Sequence, residues 1–290
     1  MRWGLNLPNV GACSDPRVLA DVAYEAEQAG WDGAFVWDSL CAEMKDPPNQ
    51  HVCDPWIALA AMAMRTERIL LGPIITPITR RRPWKLARET VSLDHLSRGR
   101  LVLPVGLGAV DEGAFARVNE ERDRKLRAER TDEGLEILTG LWSGEPYSFQ
   151  GEHYQVDTMT FLPTPVQSSR IPIWVVGAWP RMKSMRRAVR YDGILPTVMN
   201  DKGEHSMPTP DQIREMKTYI DTNRTLTTPF DIVLEAEIPG DDPAKAAAIV
   251  RPYAEVGVTW WLESVWWATY RTPGNLDAIL SRIRQGPPKL

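Results

Sequence analysis

The chain is short of the features that mark several function classes. Cysteine occurs three times in 290 residues, at Cys13, Cys41 and Cys53. An odd, small number gives no disulfide framework and suits a reducing cytoplasm. Histidine occurs four times. No H-E-x-x-H, G-x-S-x-G or G-x-x-x-x-G-K-[ST] string is present, which argues against zinc-protease, serine-hydrolase and P-loop chemistry. Cys41, His51, Cys53 and Asp54 fit no standard zinc spacing, so no metal site is expected. Positive charge is not in excess: 34 Lys and Arg stand against 38 Asp and Glu, a net of −4. Proteins that neutralise nucleic-acid phosphates carry the opposite balance, so nucleic acid is disfavoured as a partner. No apolar run reaches the roughly 18–20 residues of a membrane helix, and no membrane association is expected. The opening MRWGLNLPNVG lacks a signal peptide's long apolar stretch, which again points to the cytoplasm. Internal repeats and low-complexity tracts are missing as well.

What is present is an ordinary globular composition, 43% hydrophobic and 25% charged, with 12 Trp and 24 Pro. Several prolines follow an aspartate where a helical pattern begins: Asp15-Pro16, Asp54-Pro55 and Asp242-Pro243. Asp is a good N-cap, and Pro suits the first helical turn. Short β-like runs fall at residues 3–7, 34–37, 69–75, 101–105, 171–176, 193–195, 231–238 and 259–262, each followed by an amphipathic helical pattern. Residues 147–149 and 154–156 flank Gln150-Gly151-Glu152-His153 and read as a hairpin. Eight strands alternating with eight helices predict a (β/α)8 TIM barrel. It forms a single domain over residues 1–290, with a small hairpin insertion between helix 4 and strand 5. An open doubly wound sheet would more often stop at roughly five to seven strands.

A barrel places its chemistry at the C-terminal ends of the strands. Those addresses include Trp37-Asp38-Ser39, Thr76-Pro77, Gly106-Leu107-Gly108, Gly177-Ala178-Trp179, Glu235 through Glu237, and Glu263-Ser264. A rim rich in Trp, Gly and Pro admits a planar cofactor and lets backbone N–H groups approach it. Asp38 reads as a cofactor contact or general base, or as a plain turn residue. Glu235 and Glu237 share one strand face. Facing inward, one is a proton carrier with a raised pKa; facing outward, both are charges near a helix. Arg80-Arg81-Arg82 with Lys85 reads as a holder of a phosphate or polyanionic tail, or as a solvated loop and helix start. Alternation sends one of Trp260 and Trp261 inward and the other outward. Gly106-x-Gly108-x-x-Asp111 lacks the third glycine of a dinucleotide fingerprint and reads as a tight turn. Arg98-Gly99-Arg100 precedes strand four, at the opposite, stabilising face.

Longer strings now become specific. Asp54-Pro55-Trp56, Thr66-Glu67-Arg68-Ile69-Leu70-Leu71-Gly72-Pro73, Arg81-Arg82-Pro83-Trp84, Gly99-Arg100-Leu101 and Gly106-Leu107-Gly108 follow one another in order. Ile171-Pro172-Ile173-Trp174-Val175-Val176-Gly177 and Asp192-Gly193 come later. This succession resembles the bacterial luciferase-like family of flavin-dependent oxidoreductases, over most of the chain. The resemblance implies a (β/α)8 barrel that binds reduced FMN or coenzyme F-420 at its mouth. It implies cofactor contacts at Asp38, at Pro73, Ile74, Ile75 and Thr76 in a bulge with an unusual cis peptide, at Leu107 and Gly108, and at Gly177, Ala178 and Trp179. The helix start near Arg181 would favour the phosphate end. Trp37, Ser39, Trp260 and Glu263 are the candidate substrate contacts.

The F-420 branch of sugar-phosphate and alcohol dehydrogenases carries His just after the second-strand Asp and Glu just after the fourth-strand Gly. Here those positions hold Ser39 and Ala109. The expectation is therefore a reduced-FMN-dependent monooxygenase acting with O2 on a small organic substrate. A separate reductase would supply the cofactor, and the family resemblance implies a homodimer. An F-420-dependent hydride-transfer oxidoreductase is the alternative, and a non-catalytic flavin-binding protein is the third reading.

Overall fold

A computed structural model of the protein describes residues 1–42, 50–110, 115, 117–200 and 204–289. The chain alternates strand and helix: β1 (Arg2–Leu7), α1 (Pro16–Gln28), β2 (Gly33–Val36), α2 (Pro55–Arg65), β3 (Leu70–Pro73), β4 (Thr76–Pro77), α3 (Pro83–Leu96), β5 (Leu103–Gly106) and α4 (Arg124–Trp142). A hairpin of β6 (Pro146–Gln150) and β7 (Gln155–Thr160) follows. Then come β8 (Ile173–Trp179), α5 (Met182–Ala188), β9 (Gly193–Met199), β10 (His205–Ser206), α6 (Pro210–Asn223), β11 (Asp231–Ala236), α7 (Pro243–Glu255), β12 (Trp260–Ser264), α8 (Trp267–Arg271) and α9 (Leu276–Arg284).

The helix starts follow their cap chemistry. Asp15, Asp54 and Asp242 each accept a backbone N–H in the first turn of their helix, with proline directly after. Thr209 and Gln212 form a reciprocal capping box at α6. Asp54 is thereby spent on α2, through bonds of 2.9 and 3.1 Å from the Trp56 and Ile57 amides.

The strands run parallel in the order β3-β2-β1-β12-β11-β9-β8-β5-β4, and β10 adds antiparallel to β9. The two ends of this path, β3 and β4, are halves of one strand interrupted at Ile74-Ile75, where the peptide is cis. The sheet therefore comes back on itself, and eight strands make the barrel. The hairpin lies between α4 and β8, as its turn residues suggest. Helix α8 is additional to the expected eight.

Inside the barrel, side chains stack in layers, because alternate residues of each strand point inward. Phe35, Ile74, Val102, Trp174, Leu195, Val233, Trp260 and Leu262 form one buried cluster. Phe35, Trp174 and Trp260 meet with ring centroids 5.4–6.2 Å apart and plug the interior. Close approach needs small residues here. A Cβ on Gly72 would stand 2.4 Å from the Val102 carbonyl oxygen. A second, larger cluster fills the space between strands and helices, and Trp261 belongs to it.

At the end of the barrel opposite the strand C-termini, charge fastens the turn that leads from α2 into β3. The Glu27 carboxylate accepts the backbone N–H groups of Glu67, Arg68 and Ile69 at 2.6–3.0 Å. Burial pushes the Glu27 carboxyl upward, but these three bonds outweigh it and hold it below its ordinary range. On the other side, buried Arg100 donates to the carbonyls of Ala63, Thr66, Ile69 and Ser97 and to the Thr66 hydroxyl, at 2.7–3.1 Å. The expected structural role of this arginine is what its contacts show.

Candidate active site

A cleft of about 1770 Å³ opens at the C-terminal ends of the strands. That exceeds the roughly 300–1,000 Å³ of an ordinary small-molecule pocket. Its near half is the barrel mouth, where Trp37, Asp38, Ile74, Ile75, Leu107, Gly108 and Ala178 meet. Seven of the residues expected at the site thus share one cleft. Ile74 and Ile75 present apolar side chains because the strand breaks there. The Gly106-Leu107-Gly108 turn stands beside them. Gly108 has φ +82°, and a Cβ there would lie 2.5 Å from Phe115. Arg127 fixes this turn by donating to the carbonyls of Leu107 and Gly108, both at 2.8 Å. The tight-turn reading holds, within a barrel; Asp111 lies outside the described residues.

Asp38 is placed at the mouth but is not free. Its carboxylate accepts the Thr76 hydroxyl at 3.0 Å, Arg80 at 3.0 Å, and Arg81 through both oxygens at 2.9 and 3.0 Å. Arg80 also reaches the Asp38 carbonyl at 2.6 Å. Charge-assisted bonds of this kind are the strong ones. Asp38 therefore ties the end of β2 to the segment after β4, and its geometry speaks against a general base. Thr76 is buried and serves the same tie. The expectation that the Arg80-Arg81-Arg82 run faces a ligand is corrected for its first two members. Arg80 and Arg81 turn inward to Asp38, and Arg81 also reaches Glu89 at 3.7 Å.

Several expected residues fall elsewhere. Trp260 lies in the plug beneath the mouth, two positions before Leu262, which belongs to the same buried layer. Its partner in register on β11 is Val233, not Glu235. Glu263 points outward by alternation. Both its oxygens pair with Arg282, one at 2.6 Å from Nε and the other with Nη2, in the space between barrel and helices. Neither residue can touch a substrate in the cleft. Pro73 is buried in the β2–β3 ladder. Gly177 turns its open side to Ile194 and Met185, away from the cleft. Trp179 meets Tyr219 of α6 edge to face, with centroids 6.4 Å apart. Ser39 donates to the Cys41 carbonyl at 3.3 Å.

The strand-end glutamates divide. Glu237 stands at the rim, accepting the Tyr270 hydroxyl and pairing with Arg271. Glu235 faces inward, on the wall of the mouth. Asn6 donates to it at 2.7 Å, and the Trp266 indole N–H donates to the Asn6 oxygen at 3.2 Å. An indole can only donate, so the Asn6 amide is oriented with its NH2 toward the carboxylate. Trp266 meets Trp37 edge to face, with centroids 5.2 Å apart. Its place deep among the strand ends, open to the cleft but away from bulk water, pushes the Glu235 carboxyl above its ordinary value, and the Asn6 and Ser264 hydrogen bonds pull it partly back.

The far half of the cleft is cationic. Arg124 and Lys125 at the start of α4, and Arg181, Lys183, Arg186 and Arg190 in and beside α5, line it. Lys125 pairs with Glu129 at 3.6 Å. The other five make no ion pair among the described residues. Sequence reasoning reached only the helix start at Arg181 and missed the rest of this wall. Its signal was present only as the local density of Lys and Arg over residues 181–190.

The structure is thus a parallel eight-stranded barrel with an aromatic, glycine-lined mouth and a bulge beside it, the architecture expected of the luciferase-like class. Residues 2–278 match the luciferase-like monooxygenase family, and the chain belongs to it. An F420-dependent glucose-6-phosphate dehydrogenase of Nakamurella multipartita is 29% identical over 227 residues, 72% of this chain and 65% of that one. The match thus spans just under two thirds of that relative's length. Among solved structures, an F420-dependent secondary alcohol dehydrogenase superposes with a TM-score of 0.76 at 15% identity, covering 99% and 98% of the two chains. A monooxygenase from Streptomyces bottropensis gives 0.66 at 22% identity, covering 88% and 77%. At these identities the structural likeness speaks to the fold alone. Among the described residues, no helix is long and apolar enough to cross a membrane.

Proposed function

We propose that this protein is a coenzyme F-420-dependent oxidoreductase that exchanges hydride with a small alcohol or carbonyl substrate. The observation that carries this reading is the cationic far half of the cleft. FMN ends in one phosphate, whereas F-420 ends in a polyanionic tail. Five exposed cations with no carboxylate partner among the described residues match the longer anion. The F420-dependent relative supports the same choice.

The residues present fit such a group. A Cβ on Gly106 would fill space 3.1–3.3 Å from Val176 and Ile75, so glycine keeps room beside the bulge. Ile74, Ile75 and Leu107 would wall a planar ring, Asp38 would hold the surrounding loops, and Ala178 would lie toward the tail. Lys183, Arg186, Arg190 and Arg181 would bind the tail. When bound, the deazaflavin supplies the hydride chemistry. The chain's own work is to orient the substrate against it and exclude water, with Trp37, backed by Trp266, as the aromatic wall. We assign cofactor recycling to a separate reductase and the protein to the cytoplasm, in keeping with its free cysteines.

The reduced-FMN monooxygenase reading rests on Ser39 and Ala109 and on the fold shared with monooxygenases. Equilibrium binding of F-420 and FMN, side by side and anaerobically, separates the two. F-420 is expected to bind more tightly, with an affinity that falls as salt rises. The double reversal Lys183→Glu/Arg186→Glu is expected to weaken F-420 binding about tenfold or more, and FMN binding less. Tight FMN binding with no F-420 binding would restore the monooxygenase.

A homodimer is proposed for the assembly. Ile57 and Met64, seven residues apart on α2, are 60% and 72% exposed and share one face. Sedimentation should give twice the chain mass, and Ile57→Lys/Met64→Lys should give a single chain. A monomeric parent would end this proposal.

A further inference from the structure

Removing hydride from an alcohol carbon leaves a proton on its oxygen, and the cleft must have somewhere to put it. Asp38 is committed to two guanidinium groups and a hydroxyl. Asp132 is paired with Arg187, and Glu129 with Lys125. These two, with Asp123 and Glu204, lie among the helix starts and loops of the cleft rather than at its mouth. Glu235 differs from all of them. It sits at the end of a barrel strand on the wall of the mouth and stays open to the cleft.

We propose that Glu235 is the proton carrier of this site, accepting the substrate's hydroxyl proton in oxidation and returning it in reduction. This assignment rests on the hydride-transfer reading above. The substrate's C–H hydrogen would leave with both bonding electrons, which a bound oxidised deazaflavin would accept. The O–H bond breaks, its electron pair becomes the second carbon–oxygen bond, and its proton goes to a Glu235 carboxylate oxygen. When product leaves, that proton passes to water in the open cleft.

The surroundings suit the task. Asn6 and Ser264, which hydrogen-bond the carboxylate, carry no charge, and no charged side chain among the described residues contributes to its shift. Its affinity for a proton is therefore set by how much water reaches it. Filling the mouth with ring and substrate removes water and raises that affinity when transfer must occur. The Trp266–Asn6 pair acts as positioning residues, holding one carboxylate oxygen at 2.7 Å and so fixing how the group faces the cleft.

The test uses the full chain with 13C-labelled glutamate carboxyls. Carbon resonances are followed against pH with and without oxidised F-420, and Glu235→Gln identifies the signal. The Glu235 midpoint should lie above that of ordinary glutamates and rise further on F-420 binding. Asn6→Ala should raise it in the cofactor-free protein, because a donor to the charged form is lost. With propan-2-ol or glucose 6-phosphate as probe, Glu235→Gln should lower kcat about 100-fold or more while the Kd for F-420 stays within about twofold. If Glu235→Gln fails to fold, Glu235→Asp identifies the signal instead. Failure of the parent protein to bind F-420 would overturn the functional reading and this assignment with it. Binding with a Glu235 midpoint at the ordinary value, or one that F-420 does not move, would overturn the assignment alone.

Discussion

Arg100→Ala is expected to lower stability by about 3–5 kcal/mol while leaving cofactor binding by the folded fraction unchanged. The side chain is 8% exposed and supplies five hydrogen bonds to the turn before β3 and to the turn before its own strand. Its removal strands four carbonyls in a place too tight for easy hydration. Burial lowers the Arg100 pKa, and nearby Glu27 opposes that shift. The same turn is thus held from one side by an anion that accepts its N–H groups and from the other by a cation that donates to its carbonyls. Lysine at position 100 restores charge but not the planar fork, and should recover less than half the loss. The urea midpoint, at unchanged slope, reads the effect. A loss below about 1 kcal/mol would mean that water replaces the guanidinium at little cost.

Arg282→Met is expected to cost a similar amount, about 3–5 kcal/mol at neutral pH, and to do so in a pH-dependent way. Glu263 has a side chain 1% exposed and depends on Arg282 for its compensating charge. Burial pushes the Glu263 carboxyl up to about 7, although Arg282 pulls it down. Removing the arginine leaves burial alone and moves it higher. A carboxyl with a folded pKa above its unfolded value binds its proton more tightly when folded. Stability is then greatest below the unfolded value and is lost as pH rises through the folded one. The variant should therefore recover part of its loss on acidification toward pH 5. Glu263→Leu/Arg282→Met, which removes both charges, should be more stable than Arg282→Met at pH 8. Thermal unfolding of the three proteins at both pH values decides. A double variant no better than the single one would show that packing of Arg282 over Trp31, 5.3 Å from the ring centroid, is what matters.

The fold is legible in the sequence because its strands are buried on both faces and flanked by strong signals. Several apolar runs stop at or just before Pro or Gly, as at Leu7, Pro73, Gly106 and Trp179, and Asp-Pro pairs open α1, α2 and α7. The five-residue α8 carries no such signal. The site is legible as a set of addresses but not as a set of roles. Trp37, Asp38, Ile74, Ile75, Leu107, Gly108 and Ala178 all reach the cleft. Trp260 and Glu263 do not: Trp260 faces inward but lies a layer below the mouth, and Glu263 faces outward, since a shift of one residue along β12 reverses the side chain. Reading Trp260 as inward already implies that Glu263 is outward. The fate of Asp38 was hidden because its partners are 38–43 residues away. The cationic wall was hidden because α4 and α5 bring together charges that look like ordinary helix surface one at a time.

The Ile74-Ile75 break has a consequence for motion. The same few peptide units close the barrel, between β3 and β4, and form part of the wall of the cleft. A ligand resting there presses on the seam of the sheet rather than on an appended loop. Anything that binds the folded form alone shifts the folding balance in its favour. In this protein that gain falls where the ring of strands would part. Occupancy of the pocket and closure of the ring of strands would therefore be favoured together.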